Sequence, residues 1–590
     1  LDSALWLPMT RVRHNRISAV PEKRLYLVIG VVFIFGMLLT YRVIDLQIFK
    51  ASELQAQAIR QQETVRNIPA ERGKIFISEY SSSTLYPVAT NREFNQTYLI
   101  PQNIKNTETA FNALWDLIEP YGISEETLRY RLSKENDIYE PLLHKLTKEQ
   151  LAPFVQLGMP GLGWESENWR YYPEGDLVAQ LTGFVGVKGE SLFGQYGLEE
   201  FFETELAGED GIIEGATDVS GRLLQGKELG RKEPKSGIDL VLTIDRTLQT
   251  YACKKLSQRV AEVAAKSGTV IVVDPKTGAV LVMCSSPSFD PNTYNEVKDI
   301  GVYVNPAVSA AYELGSIFKP FTIAAALNED LITPQTMYMD DGFVMVGGYR
   351  LNNFDNQGRG EVNMIAVLEQ SLNTGAVFAQ QKLGNQKFRE YTEAFGFGAP
   401  TGIELGKELF GNTSSLEKRG DIWPATASFG QGITVTPIQV VMAYAALANN
   451  GVLMKPYIIK EKRHGDSVVS TTRPTEVNQV VSARTATIIG GMLVSVVNEG
   501  YDNLGGVLGY YIAGKTGTAQ LAQGGVYGSQ TIHSFAGFGP VDAPRFAMLI
   551  KLDEPQNGRF ASATAAPVFG DIAKFIMQYY EVPPDNAPEL

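Results

Sequence analysis

Residues 25–41 form the one long uncharged, apolar stretch of this chain, and basic residues stand on both sides of it. At about 1.5 Å per residue such a stretch just reaches across a bilayer core of roughly 30 Å. Lys23, Arg24 and Arg42 can snorkel at its ends, and Val43-Ile44 extend it. Arg11, Arg13, Arg16, Lys23 and Arg24 precede it, so the N-terminus is expected to stay cytoplasmic and the rest of the chain to lie outside. Asp45-Leu46-Gln47-Ile48-Phe49-Lys50 offers no small-x-small cleavage site. The expectation is an uncleaved anchor, not a removed signal peptide or a buried core helix. The chain opens on Leu1 rather than Met, which fits an incomplete cytoplasmic tail.

The chain has 590 residues, most of them beyond the anchor, which is too long for one ordinary core, and two or three domains are expected. A hydrophobic share of 44% with 20% charged residues argues against wholesale disorder. The net charge of −13, with only a local basic cluster at the N-terminus, disfavours nucleic acid as a partner. His14, His144, His464 and His533 show no ligand spacing, so no metal site is expected and zinc hydrolase chemistry has no support. Cys253 and Cys284 are too few for a disulfide framework. Two buried free thiols are expected, with a single bridge as the alternative outside the cytoplasm.

Composition and periodicity divide the rest. Residues 51–63 read as a polar helix leaving the membrane, residues 108–156 as helical and charged, and residues 206–236 as an extended or hairpin connection. From Gly237 a second region begins: a strand over 238–244, a helix over 247–265, and a hairpin of two apolar runs joined at Lys276-Thr277-Gly278. A long helical middle comes next, then strands near Lys515, over 534–538 and over 545–552, and a closing helix over 566–580. Strands at both ends with helices between predict an α+β class: one antiparallel sheet flanked by helices, an α/β sandwich.

Three short motifs fall in order within that second region: Ser316-Ile317-Phe318-Lys319, Ser371-Leu372-Asn373 and Lys515-Thr516-Gly517-Thr518. They match the S-x-x-K, S-x-N, K-T-G set of serine acyltransferases. Ser316 precedes an Ala-rich apolar run, and Pro320 is tolerable only near a helix start. A spacing of three stacks Lys319 one turn above Ser316 on the same face. A buried lysine beside another cation can act as the base that a serine nucleophile needs. Ser371 and Asn373 break two buried helical segments, where their side chains can turn into a cleft. Lys515 lies on a strand with a glycine beside it, and Thr516 and Thr518 share one face. The Ser316 and Thr518 amides are candidates for an oxyanion hole. Ser415-Leu416-Glu417-Lys418, Ser166-Glu167-Asn168 and Lys276-Thr277-Gly278 repeat the motifs. They are read as a polar loop, a polar stretch beside Trp164 and Trp169, and a turn.

This constellation resembles the class B penicillin-binding proteins, membrane-anchored D,D-transpeptidases that cross-link peptidoglycan. The likeness extends upstream to Arg72-Gly73-Lys74-Ile75, Arg170-Tyr171-Tyr172-Pro173 and Gly194-Gln195-Tyr196-Gly197-Leu198-Glu199, and downstream to Gly430-Gln431-Gly432-Ile433-Thr434-Val435-Thr436-Pro437. One departure is that Ile77-Ser78-Glu79-Tyr80 stands where the family usually shows an Asp-Arg-x-Gly turn. The resemblance implies a tail (1–24), an anchor (25–49), an elongated α+β pedestal (50–235) and a penicillin-binding/β-lactamase-like transpeptidase domain (236–590). It implies Ser316 as nucleophile, Lys319 as base, and Ser371 and Lys515 as proton carriers. Asn373 would hold the substrate backbone, while Thr516, Gly517 and Thr518 would line the substrate site. Stem peptides, β-lactams, a membrane glycosyltransferase and division proteins are the implied partners, and no cofactor is implied. A β-lactamase or β-lactam sensor on the same fold is disfavoured by the pedestal, and an idle scaffold by the intact motifs. Asn373 and the 430–437 run favour the division-type subgroup over the elongation type.

Overall fold

The computed structural model describes residues 22–51, 54, 63–134, 137–188, 191–217, 223–500, 503–523 and 526–585. Arg11, Arg13 and Arg16, and most of the polar helix expected over 51–63, lie outside them. Two compact units result, one of residues 1–69 with 210–234 and one of residues 70–209 with 235–590. The first holds the helix Glu22–Ile44, which continues through a π-helical turn at Asp45–Phe49. Among the described residues this is the one helix long and apolar enough to cross a membrane, and none of its apolar span is buried by protein. The same unit contains the strand Glu63–Ile68 paired with the hairpin Gly211–Thr217 and Leu223–Lys232, where a hairpin connection is expected.

The second unit is built round a five-stranded antiparallel sheet. Its strands are β1 (Ser267–Val273), β2 (Val280–Ser286), β3 (Ala513–Gln523), β4 (Val526–Gly539) and β5 (Phe546–Asp553), in the order β2-β1-β5-β4-β3. The helices that matter here are α1 (Arg246–Glu262), α2 (Lys319–Asn328), α3 (Asn373–Leu383), α4 (Pro437–Ala448) and α5 (Ala561–Tyr579). Both faces of the sheet are covered. Val270, Val272, Phe535, Met548 and Ile550 face α1 and α5. Their neighbours Ile271, Val273, Ala536 and Leu549 are buried on the other face, where α4 packs. The strands therefore read as continuous apolar runs, because both alternating sets are buried. Every residue of α4 is buried, so this helix is apolar all round for a core reason, unlike the exposed helix near the N-terminus.

Two expectations change. Cys253 and Cys284 are not free: they form a disulfide with Cα atoms 5.7 Å apart. Cys253 lies on α1 and Cys284 on β2, and α1 packs along that strand, so long-range packing, not spacing, makes the pair. The segment 108–156 is not wholly helical. Helices Thr107–Ile118, Glu125–Leu132 and Lys148–Leu157 enclose a strand, Glu140–Leu146, which pairs with the long strand Ser82–Leu99.

That long strand belongs to a second, seven-stranded sheet. Asp239–Asp245 pairs there with Ile75–Glu79 on one side and Ile459–His464 on the other. The strand that opens the second sequence region is thus shared with strands from both halves of the chain. Ile75, Ile77, Leu240 and Leu242 join the same apolar cluster as the nucleophile helix. The three upstream motifs meet beside this sheet. Glu199, 0% exposed, accepts from Arg72 Nε at 2.7 Å and Arg170 Nε at 2.7 Å, and the Tyr172 hydroxyl lies 3.3 Å away. Arg72 also pairs with Glu203 at 2.6 Å. Gly73 is required at its position because a Cβ would fall 2.1 Å from the Ile238 carbonyl oxygen.

Burial pushes the Glu199 carboxyl up, but the Arg170 and Arg72 guanidiniums outweigh it and hold the group below its ordinary value. Glu199 therefore stabilises the fold fully above the unfolded-state pKa of about 4.3, and that stability is lost as pH falls through the lower folded value. Glu199→Gln is expected to lower the unfolding free energy by about 3–5 kcal/mol at pH 7, since it strands buried guanidinium charge. In chemical denaturation the gap between wild type and variant should narrow below about pH 4.

Candidate active site

The chain enters α2 through a 3₁₀ turn at Gly315–Phe318, with Pro320 among the first helical positions. Ser316 and Lys319 sit one turn apart, with Lys319 Nζ 3.1 Å from Ser316 Oγ. Nζ also reaches the Ser371 carbonyl oxygen at 2.5 Å and Ser371 Oγ at 3.1 Å. Lys319 is 0% exposed, because α2 is buried from Lys319 to Leu327. Burial, and then the charge of Lys515, drive its pKa well below the ordinary lysine value. A lysine so placed is available as a neutral amine.

The nucleophile turn is held from behind by the glycine-rich run before α4. Gly315 N–H donates to the Gly430 carbonyl at 3.0 Å, and Tyr312 and Val435 exchange backbone bonds at 3.0 Å each. Gly430 has φ +81°, and a Cβ there would lie 2.2 Å from the Gly315 oxygen. Tyr444 of α4 donates its buried hydroxyl to the Ile317 carbonyl at 2.9 Å. Glu313, which the motifs do not mark, accepts from Gly432 N–H at 3.0 Å and from the Tyr527 hydroxyl at 3.1 Å. Its carboxyl is pushed up by burial.

The second motif lies in the expected break, between Met364–Glu369 and α3. Ser371 has φ +55°, a left-handed conformation rare for a residue with a Cβ. It brings both its carbonyl and its hydroxyl to Lys319. Asn373 opens α3, is partly exposed, and donates its amide to the Asn352 carbonyl at 2.9 Å. The support behind it is not marked by any motif. Asn353 and Asp340, 2% and 1% exposed, bond to each other and to the start of α3. In sequence they are indistinguishable from ordinary turn residues.

The third motif is on β3, the edge of the sheet. Lys515 is 1% exposed, with its Nζ 3.4 Å from the Thr516 carbonyl and hydroxyl oxygens. Gly517 has a packing reason as well as a ligand one: a Cβ would lie 2.8 Å from the Leu314 carbonyl oxygen. Thr516 and Thr518 are partly exposed on the other face of the strand. The Thr518 hydroxyl accepts from Ala561 N–H at 3.3 Å, at the start of α5. A Cβ at Gly315 would lie 3.3 Å from the Thr518 carbonyl oxygen. The backbones of Ser316 and Thr518 therefore run side by side.

All three motifs thus meet at one place, with Ser316 next to Lys319 and its turn against β3. The repeated motifs do not join them. Lys276 and Thr277 bond to Asp274 in the β1–β2 turn. Ser166, in the strand Leu162–Tyr171, donates to Glu93 of the neighbouring strand Ser82–Leu99. Ser415 is itself buried, although its loop is largely solvated as expected, and Lys418 stacks on Trp423 at 4.4 Å.

Comparison with known proteins gives the same picture. Residues 268–574 match the model of the penicillin binding protein transpeptidase domain, and residues 67–242 that of the penicillin-binding protein dimerisation domain. The chain is 33% identical to stage V sporulation protein D of Bacillus subtilis, over 89% of this chain and 79% of that one. It is 27% identical to the peptidoglycan D,D-transpeptidase FtsI of Buchnera aphidicola, over 94% and 95%. Among solved structures, penicillin binding protein 3 of Mycobacterium tuberculosis, complexed with aztreonam, is 27% identical with a TM-score of 0.67, covering 88% of this chain and 98% of that one.

Proposed function

This chain belongs to the class B penicillin-binding proteins, peptidoglycan D,D-transpeptidases, and from that membership we propose that it cross-links stem peptides through an acyl-enzyme on Ser316. The observation that carries the reading is the buried Lys319 amine 3.1 Å from Ser316 Oγ. Lys319 takes the Ser316 proton as Oγ attacks the carbonyl of a D-Ala-D-Ala terminus. The Oγ–carbon bond forms, the developing oxyanion is met by the Ser316 and Thr518 amides, and the amide bond to the terminal D-Ala breaks. The proton reaches the leaving amine by way of Ser371, which touches Lys319, with Lys515 assisting. Thr516, Gly517 and Thr518 receive the leaving carboxylate, and Asn373 holds the peptide backbone. An amine of a second stem peptide then displaces Ser316 from the ester. A β-lactam presents a strained amide to the same nucleophile and stays as the stable adduct.

The proposed layout places residues 1–24 inside, the anchor at 25–49, the pedestal at 50–235 and the transpeptidase region at 236–590 outside. A membrane glycosyltransferase and division proteins are the proposed partners, with septal synthesis as the role. Asn373 in the second motif and the 430–437 run support that role.

A membrane-impermeant fluorescent penicillin should label intact cells, with the adduct on the Ser316 peptide by mass spectrometry. An adduct on Ser415, or labelling retained by Ser316→Ala, would exclude Ser316. The electrostatics give a pH test. Lys515 helps keep Lys319 neutral, so Lys515→Met should raise the Lys319 pKa and move the acid limb of the acylation profile to higher pH. Lys515→Arg keeps the charge and should leave that limb in place. Lys319→Arg should abolish acylation at every pH. Depleting the protein should give filaments or chains that elongate without completing septa, and rounded cells that still divide would assign it to elongation.

A further inference from the structure

The second motif is held by residues outside it. Helix α3 begins at Asn373, yet its N-cap position is Leu372, which offers no side-chain acceptor. The first N–H groups of a helix need partners. Here they come from a distant loop: Asn353 Oδ1 accepts from Asn373 N–H at 2.9 Å and from Thr374 N–H at 3.2 Å. The Asn353 amide nitrogen faces the Asp340 carboxylate at 2.9 and 3.0 Å. That contact dictates which end of the amide points at the helix. Asp340 in turn accepts from four donor groups: the Asn353 amide, Thr374 Oγ1 at 2.8 Å, Gly342 N–H at 3.1 Å and Arg359 N–H at 3.0 Å. With both residues almost wholly buried, this is a satisfied polar network in a low-dielectric setting, where loss of one member is costly.

We infer that Asp340 and Asn353 are positioning residues for catalysis, an oriented carboxylate–amide pair that caps α3 from outside and thereby fixes Ser371 on Lys319. Ser371 is two residues before the capped amide and stands at φ +55°, a conformation that persists only where surroundings over-determine it. Its carbonyl and hydroxyl are the contacts that aim Lys319 at Ser316. Without the external cap, the Leu372 junction has no side chain to replace it, and Ser371 keeps on its C-terminal side only the Leu372 N–H bond to the Val367 carbonyl and the Asn373 amide bond to Asn352. The pair touches neither substrate nor Ser316. It acts through Ser371 and Lys319, and so rests on the reading that Ser316 is the acylated nucleophile.

Two substitutions in the full-length membrane protein test this, with the rate constant of acylation by a fluorescent penicillin measured from pH 5 to 9. Asn353→Ala removes the cap and should slow acylation about a hundredfold, the cost of a misplacement near 1 Å. Asn353→Asp is the discriminating variant. Two carboxyls at this distance share a proton, and only the protonated form can donate to Asp340 while still accepting from α3. The other titratable or charged groups around them are Tyr338, bonded to Thr374 at 3.1 Å, and Arg359, whose guanidinium pairs with Asp355 at 2.6 Å. The ratio of Asn353→Asp to wild-type rate constants should therefore fall as pH rises. A merely structural residue would lower the ratio evenly. A flat ratio across the range, or wild-type acylation by Asn353→Ala, overturns the inference. Wild-type protein without an adduct on Ser316 would instead overturn the nucleophile, a result that is read separately on the unmodified chain.

Discussion

A lysine with no exposed surface, held against a serine hydroxyl, is the constraint on which the rest of the structure depends. Burying an ammonium ion is costly, so such a lysine is pushed toward its neutral form. The second buried lysine, Lys515, adds to the push. The fold supplies this environment by burying α2 from Lys319 to Leu327 among neighbouring helices, with Phe321 against Tyr444 of α4 at 5.2 Å. The small residues of α2, Ala324, Ala325 and Ala326, are all buried, which allows close packing on every side. The glycine at 430 lets a second backbone approach the nucleophile turn from behind.

The upstream region is part of the same construction. Strands Ile75–Glu79 and Asp239–Asp245 lie side by side in one sheet with Ile459–His464, and their apolar faces enter the core that contains α2. Arg72, Arg170 and Glu199 come from three distant segments and close around one carboxylate. A buried charge of this kind needs every partner in place. It ties the arrival of those segments to one another, which gives the upstream motifs a physical role independent of catalysis.

Much of the site was legible in the sequence because its signals are local. A three-residue spacing on a helix sets Ser316 against Lys319. Alternation along a strand separates Lys515 and Gly517 from Thr516 and Thr518. A polar break between apolar helices marks Ser371 and Asn373. The long apolar helix near the N-terminus is legible for the same reason, since a continuous apolar run needs no partner to be recognised. The Asp340–Asn353 pair, Glu313 and the Cys253–Cys284 bond were not legible. Each depends on contacts between separate elements that no local spacing or periodicity reports.

The sequence by itself determined the motifs, their order, the long apolar helix near the N-terminus and the mixed helix–strand character of the chain, because short-range spacing and periodicity carry that information. Only the tertiary structure decided which of the repeated motifs converge, why Gly517 and Gly430 are required, and that the strand at Asp239–Asp245 joins a sheet drawn from both halves. It also decided the electrostatic state of Lys319. A lysine's pKa is set by the groups packed around it and by the water it loses, and neither is written in the four residues of its motif.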